Sequence, residues 1–101
     1  MSIEEYQKSD DEEFALILQA IGEPTRLAVL RFFSMHEETA VADLNLALNL
    51  SDSLSNHHRN IIHQAGLCTV RKEGRQKFIS LNRAKFEKFL PGFLEKLKGG
   101  N

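Results

Sequence analysis

The stretch from Thr39 to Leu81 constrains the fold more than any other part of the chain, because it sets two short helical patterns, a turn and a glycine-centred hairpin in one fixed order. Thr39 to Leu48 reads as a helix, Asn49, Leu50 and Ser51 break it, and Asp52 to Ala65 reads as a second helix closed by Gly66. That is a helix-turn-helix plan. Leu67 to Lys72 then has a strand pattern, Glu73 and Gly74 make a turn, and Arg75 to Leu81 returns, giving a hairpin that carries Arg71, Lys72, Arg75 and Lys77. A basic hairpin directly after a helix-turn-helix predicts a winged helix, mainly α with a two-stranded β-wing, an arrangement suited to reading a DNA groove.

The flanking segments supply more helices. The first is expected to begin near Ser9 or Asp10, whose side-chain oxygens can cap its first N–H groups, and the acids that follow suit the positive end of a helix dipole. Phe14, Ile17, Leu18 and Ile21 recur at helical spacing until Gly22. Pro24 fits the first position of a second helix, where a missing N–H costs nothing, with Leu27, Leu30 and Phe33 as its inward stripe. His36 to Glu38 reads as a loop. In the third helix Thr39 is the candidate cap, Val41, Leu44 and Leu48 form the buried face, and Asn49 takes the left-handed conformation that stops it. Asn82 starts a last helix with Phe86, Phe89 and Leu90 on one side; Pro91 and Gly92 must break it, leaving Phe93, Leu94 and Leu97 on a separate short turn. The expected organisation is a flexible acidic segment over residues 1–9, one domain over 10–98 and a disordered tail over 99–101.

At 101 residues with 42% hydrophobic and 27% charged side chains, the chain suits one small globular domain rather than a disordered one. Cys68 is the lone cysteine and cannot form an intramolecular disulfide; with no leader-like start and no long apolar run, the expected location is the cytoplasm, away from membranes. A net charge of −1 argues against a polyanion partner until the charges are placed. Glu4, Glu5, Asp10, Asp11, Glu12, Glu13 and Glu23 oppose only Lys8, whereas from Ser51 to Lys85 the cations Arg59, Arg71, Lys72, Arg75, Lys77, Arg83 and Lys85 oppose only Asp52 and Glu73. A positive patch can therefore sit on a neutral whole, and the patch is what phosphates meet.

On the second helix of the pair, periodicity places Leu54, His58, Ile61, Ile62 and Ala65 on one side and leaves Ser53, Ser55, Asn56, Arg59, Asn60 and His63 on the others. Arginine suits the guanine edge, asparagine the adenine edge, and serine either base or phosphate. His57, His58 and His63 are spaced by one, five and six, not the three or four that brings two ligands onto one helical face, so no metal site is expected. No phosphate-binding glycine loop, nucleophile motif or paired carboxylate supports an enzyme, and no cofactor is implied.

Several pieces in order resemble the ArsR-type winged-helix repressors: Glu23 to Leu30, Asp43 with Leu44, Leu50 with Ser51, His57 with His58, Gln64 to Leu67, and Arg71 to Arg75. The resemblance runs from about Phe14 to Leu90. It implies a homodimer, joined through the first and last helices, that binds an inverted-repeat operator on double-stranded DNA and leaves it when an inducer binds. The apolar residues Phe14, Ile17, Leu18, Ile21, Phe86, Phe89, Leu90, Phe93 and Leu94 are the expected interface. An ungapped match to the family puts Ser55 and Arg59 at usually apolar positions; the periodicity is preferred here, because burying Arg59 unpaired would cost several kcal/mol. The resemblance also places His57 near phosphate and His58 partly packed. The family's thiolate sensors carry Cys-x-Cys where this chain has Ala40, Val41 and Ala42, and its zinc or nickel sensors use Asp and His on the last helix, absent between Asn82 and Leu97. Cys68 is expected as buried filler. Regulation then falls to a small organic inducer in an apolar pocket at the dimer interface beside Pro91 and Gly92, or to abundance alone. The rival reading is a winged-helix protein-interaction module with weak or no DNA binding.

Overall fold

The structure is a computed structural model in which residues 2–99 are described; Gly100 and Asn101, assigned to the tail, and Met1 lie outside the described residues. After an exposed 3-10 turn at Ile3–Glu5 come α1 (Asp11–Ile21), α2 (Pro24–Ser34), β1 (Thr39–Ala40), α3 (Val41–Leu48), α4 (Asp52–Gln64), β2 (Cys68–Glu73), β3 (Gln76–Leu81), α5 (Arg83–Phe89) and α6 (Phe93–Gly99). The helix-turn-helix is α3 and α4, and the wing is β2 and β3.

Local chemistry explains most boundaries. Pro24 opens α2 while the Glu23 side chain accepts from Arg26 N, so the one N–H that proline lacks is one the helix start leaves unused. Asn49 stops α3 at φ 53, and Ser51 caps α4 by accepting from Leu54 N at 3.1 Å. Asn82 caps α5 through Lys85 N, and its amide also donates to Gly66 O at 3.2 Å, tying the end of the recognition segment to the start of α5. Pro91 and Gly92, the latter at φ 81, separate α5 from α6 as expected.

Four details differ from the sequence expectation. Thr39 does not cap α3: it pairs with Ile79 in β1, Ala40 takes the N-cap position without a side-chain cap, and Thr39 Oγ1 is buried without a hydrogen-bond partner. The hairpin is consequently not a two-stranded sheet but two strands of a three-stranded antiparallel one in the order β1-β3-β2. Asp10 precedes α1 without a side-chain cap; Asp11 instead accepts from Lys8 N at 2.9 Å. Helix α6 also continues through Gly99, the first residue assigned to the tail.

The core joins all layers: Ile17 and Ala20 of α1, Val29, Leu30 and Phe33 of α2, Leu44 of α3, Ile62 of α4, Leu67, Ile79 of β3, Phe86 of α5 and Leu97 of α6 are all buried. Ile17, Ile21 and Phe86, expected at a dimer interface, are spent inside this single chain. Phe14, Phe89, Leu90, Phe93 and Leu94 are half-buried, and Leu18 is 46% exposed. Helix α1 packs on α2 and α4, and at its margin it meets α5 through side chains: the Phe14 and Phe89 rings lie 5.5 Å apart, and Lys85 Nζ meets Glu13 at 2.8 Å.

Candidate nucleic-acid interface

Helix α4 packs its buried side through Ser55, His58, Arg59 and Ile62, a three- and four-residue repeat. Ser55 and Arg59, expected among the outward polar residues, therefore point inward, while Leu54, expected inward, is 46% exposed. Burial of Arg59 is tolerable because it is not unpaired. Its Nε donates to Ser55 Oγ at 2.9 Å one turn earlier, and Nη2 lies 3.6 Å from Asp52. The rotation leaves Ser53, Asn56, His57, Asn60 and His63, with Gln64, exposed along one stripe.

His58 is fixed from two sides. Arg26 Nη1 donates to its Nδ1 at 3.2 Å, which puts the ring proton on Nε2, 4.0 Å from Glu23. Burial pushes the His58 pKa down, outweighing the upward pull of Glu23. Arg26 also donates to Ala20 O at 2.6 Å, so one side chain links the end of α1, the start of α2 and the middle of α4.

On the wing, Arg71 is engaged within the chain. Its Nε and Nη2 grip both oxygens of Glu38 at 3.0 and 2.8 Å, its Nη1 reaches Glu73 at 2.7 Å, and the guanidinium carbon lies 4.4 Å from the Phe78 ring centre. These hydrogen bonds raise the Arg71 pKa and hold the Glu38 carboxyl below its usual range. Lys72 and Lys77 are direct cross-strand neighbours on the other face of the hairpin, where like charges repel, and Arg75 follows Gly74 at the tip. Among the described residues, the wing cations without an acidic partner are thus Lys72, Arg75 and Lys77.

A cleft of about 290 Å³ opens between the start of α3, the start of α4 and the wing tip. Among the described residues no group of three or more His, Cys, Asp or Glu is placed to hold a metal ion. Cys68 is 4% exposed, and burial pushes its thiol up to about 11, which keeps it protonated and unreactive at neutral pH.

No family model matches the chain. An HTH-type transcriptional regulator of Bacillus subtilis, YceK, itself uncharacterized, is 33% identical over 92 residues, covering 90% of this chain and 92% of that protein. Among solved structures, HlyU from Vibrio cholerae superposes with a TM-score of 0.76 at 24% identity, covering 90% of this chain and 94% of HlyU. An ArsR family transcriptional regulator superposes at 0.71 with 22% identity over 94% of this chain and all of the other. This chain belongs to the HTH-type transcriptional regulators, and its fold is that of the ArsR-type winged helices.

In this HTH-type regulator the ungapped match to the ArsR-type repressors, rather than periodicity, gives the correct face for Ser55 and Arg59. Three residues of the interface escaped the sequence reading. Gln64 extends the exposed stripe at helical spacing from Asn60 and was legible; Glu38 masks Arg71 across the sheet, and Arg26 orients His58 from another helix, neither of which a linear pattern reveals. No helix among the described residues is long and apolar enough to cross a membrane.

Proposed function

We propose that the protein is a homodimeric, sequence-specific repressor in the cytoplasm, binding an inverted repeat with α4 in the major groove and the wing on the backbone. The observation that carries this reading is the exposed polar stripe of α4 lying next to a wing whose cations without an acidic partner among the described residues are Lys72, Arg75 and Lys77. Asn56 and Asn60 carry the paired donor and acceptor that adenine offers in the major groove, and Ser53, His57 and His63 can take bases or phosphates. Phe14, Leu18, Phe89, Leu90, Phe93 and Leu94 form the proposed dimer face, reduced by the three residues already buried. Binding of generic duplex DNA, followed by fluorescence anisotropy at low salt, tests the reading: affinity falls steeply as salt rises if phosphates are neutralised. No binding at low salt would leave the protein-interaction module in its place.

A further inference from the structure

We propose that the cleft between α3, α4 and the wing binds a small organic anion, a carboxylate or phosphate ester with a short apolar body. Its walls differ in chemistry. Ala40, Val41 and Ala42 make one side apolar, and Arg59, Arg75 and Lys77 line the other against a single carboxylate, Asp52. The Arg59 side chain is only 8% exposed, yet among the described residues its hydrogen-bond and ion-pair partners are only Ser55 and the Asp52 carboxylate, 83% exposed and 3.6 Å away. That carboxylate is shared, since Asn45 Nδ2 also donates to it at 3.3 Å. A desolvated guanidinium so thinly matched gains more from an oxyanion than a surface arginine does.

The wing contributes the second half of the site. Lys77 sits opposite Lys72 in the hairpin, so an anion between helix and wing also relieves a like-charge contact. The volume, about 290 Å³, is at the small end of ligand pockets and exceeds what a bare phosphate fills, which favours an anion with a body for the alanine side. An occupied cleft withdraws Arg75 and Lys77 from DNA phosphates. That regulatory consequence rests on the DNA-binding function proposed above; the binding itself does not.

Isothermal titration of the full DNA-free chain with phenyl phosphate, inorganic phosphate and benzyl alcohol tests the site. One phenyl phosphate is expected per chain, bound at least about tenfold tighter than inorganic phosphate, with no heat from the neutral alcohol. Replacing the two wing cations that line the cleft, Arg75→Ala with Lys77→Ala, weakens it about tenfold or more, Lys96→Ala on α6 leaves it unchanged, and Asp52→Asn tightens it, a gain that loss of fold cannot produce. Absence of binding, equal affinity for inorganic phosphate, or equal affinity in the double variant overturns the proposal. Loss of DNA affinity in the double variant while wild type ignores phenyl phosphate would also overturn it, showing that the cleft seats a backbone phosphate. Phenyl phosphate binding by a protein that binds no duplex would uphold the anion site and remove the DNA reading alone.

Discussion

A guanidinium can enter a helix's packed face when the preceding turn supplies an acceptor, and Ser55 does so for Arg59. Arg59→Ala should therefore lower thermal stability by roughly 1–3 kcal/mol and leave base preference unchanged, measured by denaturant unfolding and by binding to matched and mismatched duplexes. Asn60→Ala, on the exposed stripe, should do the reverse: roughly 1–3 kcal/mol less discrimination and an unaltered unfolding midpoint. The two faces of α4 were only half legible. Periodicity finds His58 and Ile62 because apolar or amphipathic side chains repeat there, but it assigns serine and arginine outward by default and has no knowledge of a bond between them. His58 gives a pH test. Its folded pKa is depressed below the ordinary 6.5, so the unfolded chain takes the proton first; the stability involved is present above about pH 6.5 and is lost as pH falls through that value toward the folded pKa. The melting temperature should fall between about pH 7 and pH 5.5, less so in His58→Asn, which keeps an acceptor for Arg26 without the titration; an equal fall in both would assign it elsewhere. The depressed carboxyls Glu13, Glu23 and Glu38 add their own loss only lower, as pH drops below about 4.5.

At the scale of elements, the wing separates charge that is present from charge that is available. Lys77→Ala should weaken binding to all duplexes alike and flatten the log–log salt dependence by about 0.9 for the lost phosphate contact. Arg71→Ala should leave that slope nearly unchanged, because Glu38 and Glu73 already neutralise the guanidinium. Equal slopes for the two variants would mean that the Glu38 clamp opens on DNA. Sequence marked both side chains as wing cations and could not rank them, since the clamp depends on β1 bringing the loop before it alongside β2 and β3. The same long-range pairing explains why Thr39 misled as a cap: a threonine before a helix suits either a cap or a strand, and only Ile79 across the sheet decides. Elements ended by local chemistry, at Asn49, Gly66 and Pro91, were readable without any partner in view.

Over the whole molecule, the fold spends Ile17, Ile21 and Phe86 on one chain's core and leaves a smaller apolar margin along α1, α5 and α6 than the sequence suggested. That buried third of the expected interface was indistinguishable by composition, since core and interface residues share the same hydrophobicity and helical spacing. The homodimer proposed above would pair two-fold through this remaining margin and is expected to read half-sites about one DNA turn apart. Selection of bound sequences from random duplex DNA measures this directly. It should enrich a two-fold symmetric site with half-site centres about 10 base pairs, or a multiple, apart, whose preference weakens in Asn60→Ala. Enrichment of no sequence, or of a single asymmetric half-site, would contradict a dimeric reader of DNA.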